Sequence, residues 1–147
     1  MKKFFIFLLS FIPWFLSSLF MSNTTFYKSL ELPIFAPPSW LFAVVWPILY
    51  FLIAFSIYIV YTRFGFSDKY KYTLILNYIF NQSFTLLFFN LENIILGAIS
   101  TILTLITAIL LYKETNELNK KTSYLLIPYI LWLIFASILS ISILFLN

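Results

Sequence analysis

Five apolar stretches, each close to the length that crosses a hydrocarbon core, constrain this chain more than any other feature. They run over residues 4–21, 40–61, 72–89, 94–112 and 123–146, and none has an Asp, Glu, Lys or Arg in its interior. Roughly 20 apolar residues in helical form span a bilayer. Backbone inside lipid must satisfy its own polar groups, which leaves helices or a closed barrel. A barrel would show shorter segments of alternating hydrophobicity, and these runs do not alternate. The expected fold is therefore all-α, an integral membrane bundle of five transmembrane helices in one domain over residues 1–147. Composition agrees: 63% of the 147 residues are hydrophobic and 10% charged. A soluble domain of this size has too much surface for its volume to hide that fraction.

The charges test the five-helix count. With five spans, Lys2, Lys3, Arg63, Lys69, Lys71, Lys113, Lys120 and Lys121 fall on one side and Lys28 alone on the other. Positive charge marks the cytoplasmic side. The expected location is a membrane, with the N-terminus in the cytoplasm and Asn147 outside. Lys2 and Lys3 before an apolar run also fit a secretory signal peptide, but the run is long and no A-x-A site follows. Pro13 is expected to kink the first helix. The net charge of +4 does not point to nucleic acid, because the charges lie between apolar segments and form no basic face.

Segment 22–39 is the longest loop and the least ordinary. It carries Thr24 and Thr25, then Pro33, Pro37 and Pro38, with Phe26, Tyr27, Ile34 and Phe35 among them. Proline disfavours helix, so a stiff extended course is expected. A stiff apolar loop lies on something, and the composition leaves two choices: the membrane surface, or a cavity between helices that it would lid.

Each later span has a stripe of interest. In the second, Ala43, Pro47, Tyr50 and Ala54 share a stripe with Trp46 at its edge. Large rings beside small residues can line a slot for a flat ligand. The alternative is an interfacial aromatic belt, the favoured reading for Trp40. In the third, Asn77, Asn81 and Thr85 recur at spacing four beside Gln82. Such amides join helices, or one of them meets a ligand's polar edge. In the fourth, Gly97, Thr101, Thr104 and Ala108 form a small-residue face for close packing, within the chain or across a dimer. In the fifth, Pro128, Trp132, Ala136 and Ser140 share one stripe, leaving space beside the indole for a neighbouring helix or a ligand.

Histidine and cysteine are absent from the sequence. That removes the usual general base, the thiolate nucleophile and the commonest metal ligands, so no metal site is expected. No ionisable group sits mid-span, which argues against ion-coupled transport. Any chemistry would have to come from a bound pigment or cofactor.

The order of these residues resembles the TspO/MBR family, the tryptophan-rich sensory proteins or peripheral benzodiazepine receptors. Phe26-Tyr27, Leu30, Pro33, Phe35, Pro37-Pro38 and Trp40 are similar to its W-Y-x-x-L-x-x-P-x-[WF]-x-P-P-x-W signature. Trp46 and Leu49-Tyr50 follow as W-x-x-L-Y, Asn77 to Phe84 resembles the third helix of bacterial members, and Pro128-Tyr129, Trp132 and Phe135-Ala136 match P-Y-x-x-W-x-x-F-A. The resemblance covers essentially the whole chain.

The resemblance implies a five-helix bundle, a homodimer, and a pocket lidded by the first loop. It implies binding of protoporphyrin IX or related tetrapyrroles, with synthetic benzodiazepine-type ligands and sterols as further candidates. Carried over position by position, the ligand-binding residues are Tyr27, Pro37, Trp46, Tyr50, Asn81, Phe84, Trp132 and Ala136. Trp46 and Trp132 would be the catalytic pair if the chain degrades protoporphyrin in light. No cofactor is then required beyond the porphyrin as ligand or substrate. The alternatives are a non-catalytic sensor, a transporter of apolar ligands, or a purely structural membrane subunit. The chain departs from the pattern at Phe26, where the family has a pocket tryptophan. It also has Leu32 in place of a common lysine, and Ala43 in place of a small Gly. Ser140-Ile141-Ser142 lacks the Asn and Tyr of the vertebrate sterol segment, which weakens a sterol reading.

Overall fold

The computed structural model describes residues 2–20 and 25–147. Residues 21–24, which hold Thr24 and the end of the first predicted span, lie outside the described residues. Helix α1 (Lys2–Phe11) passes into a 3-10 stretch, Ile12–Phe20. The change comes at Pro13, whose missing N–H breaks the α ladder as expected. A short helix α2 (Thr25–Ser29) precedes α3 (Ser39–Phe64). Helix α4 (Asp68–Phe84) continues as a π-helix over Thr85–Asn90. Then come α5 (Ile94–Leu118), a single turn α6 (Lys120–Ser123), a 3-10 turn (Tyr124–Leu126) and α7 (Ile127–Leu146).

Among the described residues every regular element is helical. Three helices are long and apolar enough to cross a membrane: Ser39–Phe64, Ile94–Leu118 and Lys120–Leu146. The other two predicted spans are less uniform. The first changes from α to 3-10 geometry at Ile12, and its apolar helix over Lys3–Leu16 is shorter than a full span. The third opens with Asp68, Lys69 and Lys71, carries Asn77, Asn81 and Gln82, and changes pitch at Thr85. Boundaries shift outward elsewhere: α5 runs six residues past the expected end at Tyr112, to Leu118.

The ends are set by local chemistry. The Ser67 hydroxyl accepts from the Tyr70 amide at 3.1 Å and caps α4. The Asn93 side chain accepts from the Leu96 amide at 2.9 Å and caps α5. Gly65 closes α3 at φ 72°, a conformation that L side chains rarely adopt. The main core gathers Trp14, Tyr50, Ile53, Val60, Tyr70, Leu111, Tyr129 and Leu133, which joins α3, α4, α5 and α7 around the indole of the first segment.

The π-helix packs tightly on α5. A Cβ on Gly97 would stand 2.7 Å from Cδ2 of Phe88, so only glycine admits this ring. Gly97, Thr101, Thr104 and Ala108 are all buried, which assigns the small-residue face to packing within the chain. Its hydroxyls bond back to their own helix: Thr101 donates to Gly97 O at 2.9 Å and Thr104 to Ser100 O at 2.7 Å.

The loop before α3 is held down. Asn147 and Glu31 exchange two bonds, with Glu31 N donating to Asn147 Oδ1 at 3.0 Å and Asn147 Nδ2 to Glu31 O at 3.0 Å. The loop turns through an Ala36 N to Pro33 O bond of 2.8 Å. Its rings pack on the helices: Phe26 meets Phe88 at 5.4 Å, Tyr27 meets Phe42 at 5.9 Å and the half-exposed Phe35 meets Phe135 at 6.3 Å between centroids. Of the two courses open in the sequence, the described part of the loop takes the one over the helices, although Ile34 stays fully exposed.

Candidate functional site: an aromatic cavity under the first loop

A cavity of about 340 Å³ lies beneath this loop, walled by α3, α4 with its π-helix, α5 and α7. Seven of the eight expected ligand residues line it: Tyr27, Trp46, Tyr50, Asn81, Phe84, Trp132 and Ala136. Pro37 stands behind the wall, its carbonyl accepting from the Tyr27 hydroxyl at 3.4 Å. Burial holds the Tyr27 phenol above its ordinary range. Trp40 is 63% exposed and outside the lining, as the belt reading expected.

The rings form two linked groups. Trp46 and Tyr50 lie 5.3 Å apart at 32°, and Trp14 extends that row from behind Tyr50 at 5.7 Å. Trp132 meets Phe42 at 5.8 Å and Phe135 at 5.5 Å. The π-helix adds a third wall. Phe84, Thr85, Phe88 and Phe89 all line the cavity, the last three from the π-helix. Phe84 and Phe88 stack at 5.2 Å and 10°.

Beneath the rings runs a polar chain. Tyr50 donates to Asn81 Oδ1 at 3.3 Å, and Asn81 Nδ2 donates to the Tyr129 hydroxyl at 3.1 Å. Tyr129 donates to Asn77 Oδ1 at 3.2 Å, and Asn77 Nδ2 reaches Thr104 O and Thr107 Oγ1, each at 3.0 Å. Gln82 donates to Trp14 O at 3.2 Å and to Asn81 Oδ1 at 3.1 Å. The third-helix amides therefore join helices, and Asn81 both faces the cavity and is engaged at each end of its amide. In contrast, the Trp132 indole N–H is buried without a partner. An unpartnered buried donor costs about 1–3 kcal/mol, which an acceptor on a ligand would recover.

Three features escaped the sequence reading. Trp14 is a core residue, 2% exposed, although only its size hinted at that. The Asn147–Glu31 exchange joins positions with no local signal. Glu114 was placed beyond the fourth span, yet the longer α5 buries it, and Thr73 donates to its Oε1 at 2.8 Å.

No group of three or more acidic, His or Cys side chains that could hold a metal occurs among the described residues. The cavity's own oxygens suit a metal poorly. Tyr27 and Tyr50 are the cavity's phenols, and both hydroxyls are engaged with the protein.

Apolar helices around a ring-lined cavity, with a pinned loop over it, define a helical membrane protein with an internal pocket. The chain belongs to the TspO/MBR family, whose model matches residues 4–146. A tryptophan-rich protein TspO of Bacillus cereus is 40% identical over 125 residues, covering 84% of this chain and 82% of the relative. A protein of the same name from Archaeoglobus fulgidus is 37% identical over 127 residues, covering 86% of this chain and 82% of its own length. A membrane protein of Bacillus subtilis, YtaB, is 36% identical over 127 residues, with 85% and 82% covered.

Proposed function

We propose that this chain is a five-span, one-domain protein of the bacterial cell membrane that binds a protoporphyrin IX-like tetrapyrrole in the cavity under the first loop. Its N-terminus is cytoplasmic and its C-terminus extracytoplasmic. The single observation that carries the reading is a mostly apolar cavity rich in indole and phenyl rings, with one unpaired indole N–H. Ligand sites are commonly apolar with a few placed polar groups. The macrocycle lies between Trp46 and Trp132, with a carboxylate or carbonyl oxygen taking the Trp132 N–H. The absence of His and Cys, together with the engaged tyrosines, favours metal-free porphyrin over haem. A homodimer and benzodiazepine-type ligands belong to the same reading through the family.

In the catalytic version, light excites the bound porphyrin, and Trp46 and Trp132 exchange electrons with it or with an oxygen species. Purified protein titrated with protoporphyrin IX in the dark and then illuminated tests both parts. Saturable tryptophan quenching supports binding, and its absence overturns it. Protein-dependent bleaching that slows in Trp46→Phe and in Trp132→Phe, with binding little changed, supports turnover. Bleaching unchanged in both variants sinks the tryptophan mechanism, and binding without protein-dependent bleaching leaves a sensor or carrier.

A further inference from the structure

A second concavity lies at the opposite end of α3 from the lidded cavity. It holds about 280 Å³ between α1 and α3 and is lined by Lys3, Phe55, Tyr58, Ile59, Thr62 and Arg63. Two cations share its mouth, and no acid lines it. The ion pairs among the described residues are Lys69 with Glu114 and Lys71 with Asp68, so Lys3 and Arg63 have no acidic partner. The Thr62 hydroxyl is taken by Tyr58 O at 2.8 Å, which leaves the two cations and the Tyr58 phenol as the lining's polar donors to an incoming group.

Below the cations the same face becomes aromatic. Phe51, Phe55 and Tyr58 stack in succession at 6.2 Å each, tilted by 15° and 12°. Phe7 of α1 stands edge-on to all three, at 5.6, 6.4 and 6.2 Å. Phe51 and Phe55 keep 47% and 38% of their surface open. Paired cations above an exposed apolar rail match an amphiphile: an anionic head with a hydrocarbon tail running along the helix. Arg63 can fork onto phosphate oxygens, and Lys3 supplies a point charge beside it. A zwitterionic lipid would bring its own ammonium against these two.

We propose that this cleft is a binding site for one anionic phospholipid, its phosphate held by Lys3 and Arg63 and an acyl chain laid on Phe51 and Phe55. The site rests on the membrane reading and the orientation of the charges, and is independent of whether the lidded cavity takes a porphyrin. It would fasten the end of α1 to α3 through the lipid.

The test is native mass spectrometry of the detergent-purified full chain with phosphatidylglycerol or phosphatidylcholine added at equal concentration. One phosphatidylglycerol is expected to be retained in preference to phosphatidylcholine. Lys3→Gln with Arg63→Gln should weaken retention by about thirty-fold, from roughly five-fold per cation near a membrane surface. Lys120→Gln with Lys121→Gln, an exposed basic pair on α6, should leave it unchanged. Phe51→Ala should weaken it without altering charge. Equal retention of the two lipids, equal loss in both lysine-containing double variants, or full displacement by 10 mM inorganic phosphate (an arbitrary working concentration, about ten-fold above a weak millimolar site) would each overturn the proposal. The first leaves apolar lipid contact without head-group selection, the second diffuse surface charge, and the third a site for free phosphate.

Discussion

Replacing Thr73 by Val should destabilise the protein by about 2 kcal/mol, and replacing Glu114 by Leu should cancel that loss. The Glu114 carboxylate keeps only 8% of its side-chain surface and receives one short bond, 2.8 Å from Thr73. Its Oε2 has no partner. Lys69 stands 3.9 Å from Oε1 with 72% of its side chain in solvent, too distant and too exposed to compensate. Valine keeps threonine's shape and removes the donor, which deletes a bond to a charged group, about 1.5–3 kcal/mol. Leucine at 114 removes the charge, and the Thr73 hydroxyl then has its own helix's carbonyl four residues back to bond. Exchanging a poorly compensated buried charge for an apolar side chain is neutral or stabilising, by up to about 4 kcal/mol. The double variant should therefore match Glu114→Leu alone, with a coupling near 2 kcal/mol. Thermal unfolding in detergent reads this as a fall of about 4–8 °C for Thr73→Val and no fall for the other two. A Thr73→Val variant within about 0.5 kcal/mol of the parent, or a coupling near zero, would refute the reasoning, because the carboxylate would then be drawing its stabilisation from water.

Two other perturbations follow from close contacts. Gly97→Ala forces a methyl to 2.7 Å from Phe88 and should cost about 1–3 kcal/mol in the same melt, with Phe88→Leu added on top recovering part of it. Asn147→Ala removes both bonds to Glu31, so protoporphyrin IX release, followed by recovery of tryptophan fluorescence, should quicken by about ten-fold if each bond contributes near 0.7 kcal/mol.

Helical class, family and most of the cavity lining were legible in the sequence because each rests on a local pattern. Unbroken apolar runs give helices, and the stripes through Ala43–Tyr50 and Trp132–Ala136 are i, i+4 arithmetic that the folded α3 and α7 keep. Asn77 and Asn81 were readable as amides needing partners, although which partners depended on Tyr129, a residue noticed only as part of the P-Y motif. What the sequence concealed was non-local. The break at Pro13 and the amides of α4 were local and legible, but their effect on the evenness of five spans was not. A π-helix at Thr85–Asn90 has no compositional mark, since one extra residue per turn changes which side chains face inward without changing their type. Glu114 read as a loop acid because charge usually ends a span, yet α5 continues and turns it toward Thr73.

The exchange between Glu31 and Asn147 also bears on the order in which the chain is built. The two residues are 116 positions apart. A contact of that separation has to wait for the intervening chain to be ordered, which makes it slow to form. The cavity draws its walls from α3, α4, α5 and α7 alike. During synthesis the loop before α3 leaves the ribosome early, but its hydrogen-bonded anchor at Asn147 and the ring of Phe135 arrive only with α7. A nascent chain lacking α7 has neither a complete wall nor a fixed cover, so the pocket arises in one step near the end of biogenesis.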